Sequence, residues 1–199
     1  MTTRSPSKAG DATSQSPAPW DDPHWLRTVA ADVTAVLLRR YGAHQLDIVE
    51  DAVQEALMSA MRAWPLSGPP TNPAGWLVLT ARNRLLDGFR RARREQALSP
   101  RDEWSDDMSE AMAGVDPSPL ADDQVLLLFA CCHPSLSPES RVALTLKTVA
   151  QLSVDEIARA LQADERAVAQ RLVRAKKTLR AQRAEWRLPV ASELPSRLS

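Results

Sequence analysis

Cysteine is nearly absent from this chain, and the two that occur, Cys131 and Cys132, are neighbours in sequence. They supply no disulfide framework, so a fold held by packing in a reducing compartment is expected. Aromatic residues are scarce at 5%, with six Trp against two Phe and one Tyr. Sustained runs of Val, Ile and Thr are missing, while Leu, Ala and Arg dominate. That balance argues against a strand-rich fold and for an all-α one. No apolar run approaches the roughly 20 residues that span a bilayer, and the N-terminus lacks the apolar segment of a signal peptide. A cytoplasmic protein with no membrane partner is expected. There is no Gly-rich phosphate loop and no nucleophile–base pair. Cys131, Cys132 and His133 lack the second Cys/His pair that a zinc site needs, and His24 and His44 lie far off in sequence. Neither an enzyme nor a metal or other cofactor is expected.

Net charge is missing too: 25 basic residues balance 25 acidic ones. The balance conceals segregation. Residues 82–94 carry six arginines against Asp87 alone, residues 102–123 carry eight carboxylates and no basic residue, and residues 166–187 are basic again. Such alternation can present two nucleic-acid surfaces and still sum to zero.

The chain is organised around residues 153–187. Ser153 and Glu156 form an S-x-x-E capping box at a helix start, and Ile157, Ala158 and Leu161 give that helix an apolar face. Asp164 caps a second helix, in which Val168, Leu172 and Leu179 turn inward. Arg166, Gln170, Arg171, Arg174, Lys176 and Lys177 are left outside. Two helices joined by a turn of about four residues, the second one basic, form a helix-turn-helix that can set a recognition helix in the major groove. In the turn, Gln162 stands where glycine would adopt a left-handed conformation most easily.

Upstream, residues 1–20 read as a disordered tail rich in Ser, Pro and Ala. Asp22-Pro23 starts a first helix, which Gly42 ends. A second runs from Gln45 to Trp64 before Pro65 breaks it, with Asp47, Glu50, Asp51, Gln54 and Glu55 on its outer face. Those carboxylates fit either a solvated surface or a docking surface for a basic partner. Asn72-Pro73 starts a third helix with an apolar stripe of Trp76, Leu77, Ala81, Leu85 and Phe89. Its basic face, ARNRLLDGFRRARR, suits phosphate and unpaired bases, or else a solvated helix end. A fourth helix, LADDQVLLLFACC, is apolar nearly all round and expected to be buried. Ser137-Pro138-Glu139 starts a fifth, with Val142, Leu144, Leu146 and Val149 feeding the core.

Taken in order, DIVEDAVQEALMSAMRAWP, NPAGWLVLTARNRLLDGFRR, an acidic stretch and LSVDEIARALQADERAVAQRLVRAKKTLR resemble a bacterial sigma-70-family factor of the extracytoplasmic-function (ECF) type, over residues 22–185. GWLVLTARNRLLDGFRR and LLFACCHPSLSPESRVALTL resemble an ECF subgroup that usually continues into a helical-repeat extension, and the sequence stops where that extension would be entered, as in a short or a truncated member. The resemblance implies an all-α chain of two small helical domains joined by an acidic flexible linker. Residues 21–96 would form a sigma region 2-like domain, 97–118 the linker and 119–187 a region 4-like domain, with a tail at 188–199. Asp51, Gln54 and Glu55 match the family's D-x-x-Q-E pattern, so with Asp47 and Glu50 they would dock on the β′ clamp helices of core RNA polymerase, and the β flap would take region 4. Arg82, Asn83, Arg84, Asp87, Arg90 and Arg91 would engage the −10 promoter element and hold a flipped-out base. Glu165, Arg166, Gln170, Arg171 and Arg174 would read the −35 element, with Lys176 and Lys177 on phosphate. Where family members usually carry Gly-Ile-Ser in the turn, this chain has Gln162-Ala163-Asp164. The family also admits an anti-sigma factor as a partner, though the residues themselves show none. The alternative is a stand-alone helix-turn-helix regulator, which would leave the acidic face and the second basic helix unexplained.

Overall fold

The computed structural model describes residue 20, residues 22–95 and residues 120–182. The expected linker at 97–118 and most of the expected tails lie outside the described residues. Within them, regular structure is helical throughout: α1 (Pro23–Tyr41), α2 (Leu46–Ser67), α3 (Pro73–Glu95), α4 (Leu120–Cys131), α5 (Pro138–Thr148), α6 (Val154–Ala160) and α7 (Glu165–Ala181). The all-α expectation holds.

Local chemistry sets the helix starts. The Asp22 carboxylate accepts from the His24 N–H at 2.9 Å, with Pro23 at the first helical position. Asn72 accepts from the Gly75 N–H at 2.9 Å at the start of α3, and Ser137 from the Ser140 N–H at 3.3 Å at the start of α5. Each satisfies a donor the helix itself leaves open. Helix α2 departs from expectation. It runs through Pro65 and stops at Gly68, whose φ of +75° suits glycine. So close to the end, the missing Pro65 N–H removes a single ladder bond, and the Gly68 N–H closes on the Trp64 carbonyl at 2.9 Å.

Helices α1–α3 pack as one group and α5–α7 as another, with α4 between them, lying along α1 and meeting α5. This explains why α1 is apolar or small on almost every side: α2 and α3 cover one flank and α4 the other. Thr34 is buried within it and donates its hydroxyl to the Ala30 carbonyl at 2.7 Å. Leu37, Leu77 and Leu85 of the first group join Leu127 of α4 and Leu144, Ile157 and Leu179 of the second group in one hydrophobic core.

Three apolar expectations need correction. Helix α4 is not buried all round. Its chief neighbours are α1 and α5, so Leu127, Ala130 and Cys131 are inside while Val125 and Leu128 face water. In α5 the inward places go to Ala143 and Leu144, which leaves Val142 exposed. Trp20, expected in the tail, lies edge-on to Trp64 at 5.8 Å. Trp64 also meets Trp25 at 6.2 Å and Trp76 at 5.6 Å, so four indoles close the end of the bundle where α2 gives way to α3.

Candidate nucleic-acid interface

The helix-turn-helix is built from α6 and α7. Both arms of the capping box form: the Ser153 N–H donates to Glu156 Oε2 at 2.8 Å, and the Glu156 N–H donates to Ser153 Oγ at 3.2 Å. In the turn the Ala163 N–H reaches back to the Ala158 carbonyl at 2.9 Å. That closure requires a left-handed residue, and Gln162 supplies it at φ +50° despite its side chain. Asp164 Oδ1 accepts from the Ala167 N–H at 3.0 Å and starts α7. Val168, Leu172, Ala175 and Leu179 recur at helical spacing and turn inward.

The opposite face of α7 offers Glu165, Arg166, Gln170, Arg174 and Lys177 to solvent, with Arg171 half-buried. Arg171 also helps hold the Glu139 carboxyl below its usual value, after the Glu139 N–H and the Ser137 hydroxyl. The geometry is that of a cationic helix face able to enter a groove.

Lys176 behaves differently from its neighbour. It is 18% exposed, and its Nζ lies 2.5 Å from Glu50 Oε2 and 3.4 Å from Asp47 Oδ1. Arg180 Nη2 donates to Asp47 Oδ2 at 2.7 Å, and the Thr148 hydroxyl donates to Glu50 Oε1 at 2.9 Å. Burial works against the Lys176 charge, but the Glu50 and Asp47 carboxylates outweigh it and hold its pKa above the ordinary value. The expected acidic face of α2 is therefore divided. Asp47 and Glu50 are engaged by α7, whereas Asp51, Gln54 and Glu55 remain exposed.

On α3, Asn83, Arg84, Asp87, Arg90 and Arg91 are exposed and Arg82 is half-buried. Arg84 Nε lies 3.5 Å from Glu55 Oε2, and Arg90 donates to Asp87 at 3.2 Å. Helix α3 thus carries a mixed but mostly cationic outer face beside the exposed half of the α2 carboxylates.

The sigma-70 region 2 family model matches residues 25–95, and the sigma-70 region 4 model matches residues 126–179. The chain belongs to the sigma-70 family. The order of the two regions and the form of the second fit the ECF type. Helices α1–α3 form region 2, and region 4 takes in most of α4–α7. The chain is also similar to an uncharacterized protein of Rhizobium meliloti (strain 1021), at 39% identity over 166 residues. That alignment takes in 82% of this chain and 39% of the relative, so the chain spans about two fifths of the relative's length.

The family frame brings out residues that sequence reasoning missed. Val173 is 66% exposed on the outer face of the region 4 helix α7, and shares that face with Gln170 and Lys177 at spacings of three and four. That spacing was the available signal. Thr148 and Arg180 complete the contact around Asp47 and Glu50, but nothing local in the sequence marks them. Cys131 is buried, and burial before all else pushes its thiol pKa up, which fits a packing role. Among the described residues no group of three or more His, Cys, Asp and Glu is placed to hold a metal ion, and no helix is long and apolar enough to cross a membrane.

Proposed function

We propose that the chain is a sigma factor that binds core RNA polymerase and directs promoter-specific initiation. The supporting observation is the occurrence of sigma-70 regions 2 and 4 in that order in one chain, the second containing a capped helix-turn-helix with a cationic outer face. In this reading the protein performs no catalysis of its own. Asp47, Glu50, Asp51, Gln54 and Glu55 dock on the polymerase clamp helices, and region 4 meets the flap. Arg82, Asn83, Arg84, Asp87, Arg90 and Arg91 engage the −10 element and help open it. Glu165, Arg166, Gln170, Arg171 and Arg174 read the −35 element, with Lys176 and Lys177 on phosphate. The domain boundaries read from the sequence, 21–96 and 119–187, belong to the same proposal.

Physical reasoning supports this division. Two small DNA-facing units tethered together gain affinity by effective concentration when both sites lie at the right separation. An arginine-bearing face suits capture of an extruded base, whose unstacking costs a few kcal/mol that pocket contacts can offset. A net charge of zero keeps the free protein from holding DNA through phosphate contacts alone.

The test is reconstitution of the purified chain with bacterial core RNA polymerase on a fragmented genomic template, with transcript starts mapped. Defined starts that require the chain are expected, and their alignment yields the two promoter elements. No core binding and no new starts would overturn the assignment for this chain.

A further inference from the structure

Region 2 and region 4 meet through three polar patches, each pairing opposite partners. At the first, Arg27 of α1 donates to Glu156 of the α6 capping box at 2.6 Å. At the second, Arg39 Nη1 lies 3.4 Å from the buried Asp123 of α4, and Gln124 donates to Asp32 at 2.5 Å. At the third, Lys176 and Arg180 of α7 take Asp47 and Glu50 of α2. The apolar side chains of α1 and α4 meet between the patches.

The third patch has a consequence for docking. Glu50 is 9% exposed, enclosed by Lys176 and by the Thr148 hydroxyl. A basic helix from another protein could not reach it while α7 is there. Helix α7 therefore offers the acidic start of α2 the kind of surface that a basic partner would offer. The outer face of α7 with Arg166, Gln170 and Lys177 remains open in the same conformation, so the contact covers Asp47 and Glu50, leaves Asp51, Gln54 and Glu55 exposed, and takes Lys176 alone of the residues assigned to DNA.

We propose that this contact is an autoinhibitory clamp: the basic edge of α7, through Lys176 and Arg180, occupies Asp47 and Glu50 in the free chain and competes with core RNA polymerase for them. The competition with polymerase rests on the function proposed above; the clamp itself does not. The Arg27–Glu156 and Arg180–Asp47 pairs are partly exposed, hold the contact only modestly and weaken with salt, whereas the enclosed Lys176–Glu50 pair carries more of it. A partner that supplies better cations to the same carboxylates can then open it, and its apparent affinity is reduced by the fraction of chain that stands closed.

Arg39→Glu tests this without touching either the docking carboxylates or the groove-facing residues, because it sets two carboxylates against each other at the second patch. Small-angle scattering should show a larger radius of gyration than wild type, and affinity for DNA-free core polymerase should rise by about fivefold if most of the free chain is closed. Circular dichroism checks that helical content is kept. Should Arg39→Glu fail to fold, Lys176→Glu combined with Arg180→Glu opens the third patch directly and is read in the same two assays. Expansion with tighter core binding supports the clamp. An unchanged radius overturns it. Expansion with unchanged or weaker core binding overturns the competition. If neither wild type nor variant binds core at all, the sigma reading fails and with it the competition, while the scattering result still decides whether the clamp exists.

Discussion

The two basic helices of the molecule, α3 in region 2 and α7 in region 4, place their cations differently. On α3 the partners are local: Arg90 finds Asp87 one turn away, and Arg84 finds Glu55 on the adjacent α2. Those side chains are half or more exposed, so such pairs contribute at most about 1 kcal/mol each. On α7 one edge of the helix crosses to the other half of the chain, and Lys176 is enclosed beside Glu50 while Lys177 stays in water. A cationic helix is therefore not one surface. Its residues divide between holding the fold and facing solvent, and the division is set by what packs alongside.

The largest expected effect comes from those adjacent lysines. Lys176→Ala removes the counter-charge of a carboxylate that is only 9% exposed, and the loss should be about 3 kcal/mol. Lys177→Ala removes an exposed charge and should stay within about 0.5 kcal/mol. Urea denaturation of the two variants measures both, and equal effects would erase the distinction drawn between the two edges of α7.

Next in size is the division of the α2 face. Asp51 lies one turn beyond Asp47, is exposed and is free to meet a partner. Asp51→Arg reverses its charge and should weaken core polymerase binding by about tenfold, which corresponds to about 1.4 kcal/mol. Unchanged affinity in a fluorescence titration would move the docking surface elsewhere on region 2.

Much of this molecule was legible because helix caps are local chemistry. Asp22-Pro23, Asn72-Pro73, Ser137-Pro138 and the Ser153/Glu156 box each announce a helix within four residues, and each forms. The strained position in the turn could be anticipated at Gln162 for the same reason. The contact between the halves could not. Glu50 and Thr148 are 98 residues apart, and Asp47 and Arg180 are 133 apart, so no window of sequence holds both partners. Asp47 and Asp51 read alike on a helical wheel, and only the position of α7 separates the paired carboxylate from the free one. Val142, expected in the core, is exposed beside the buried Ala143 because the rotation of α5 is fixed by α4 and α7, not by its own pattern.

A smaller effect sharpens the open edge of α7. Val173 presents methyl groups between Gln170 and Lys177, and in a major groove the matching apolar feature is the thymine methyl. Val173→Ala should lower affinity of the polymerase complex for a −35 element by about threefold, the worth of roughly one buried methylene. Replacing thymines one at a time by deoxyuracil should reproduce that loss at one position in wild type and add nothing in the variant. If every deoxyuracil substitution weakens wild type and variant equally, Val173 reads no methyl.

The smallest effect concerns the tie between α1 and the helix-turn-helix. The Ser153 N–H, and after it Arg27, hold the Glu156 carboxyl at about 2, below its ordinary 4.5. A carboxyl lowered in the folded state contributes stability above its unfolded value and loses it as pH falls through the folded one. The contribution is thus complete at neutral pH and declines from about 4.5 toward about 2. Glu156→Gln keeps the shape of the side chain but cannot ionise, and it has one acceptor oxygen where Glu156 uses two, Oε1 for Arg27 and Oε2 for the Ser153 N–H. The wild type should exceed this variant in urea midpoint at pH 7, and the gap should narrow as the pH is lowered below about 4.5. Both Arg27 and Glu156 stand substantially in solvent, so the gap will be modest and will shrink with added salt. A gap that stays constant from pH 7 to pH 3 would show that the charge of Glu156 contributes nothing, and that the second acceptor oxygen alone separates it from glutamine.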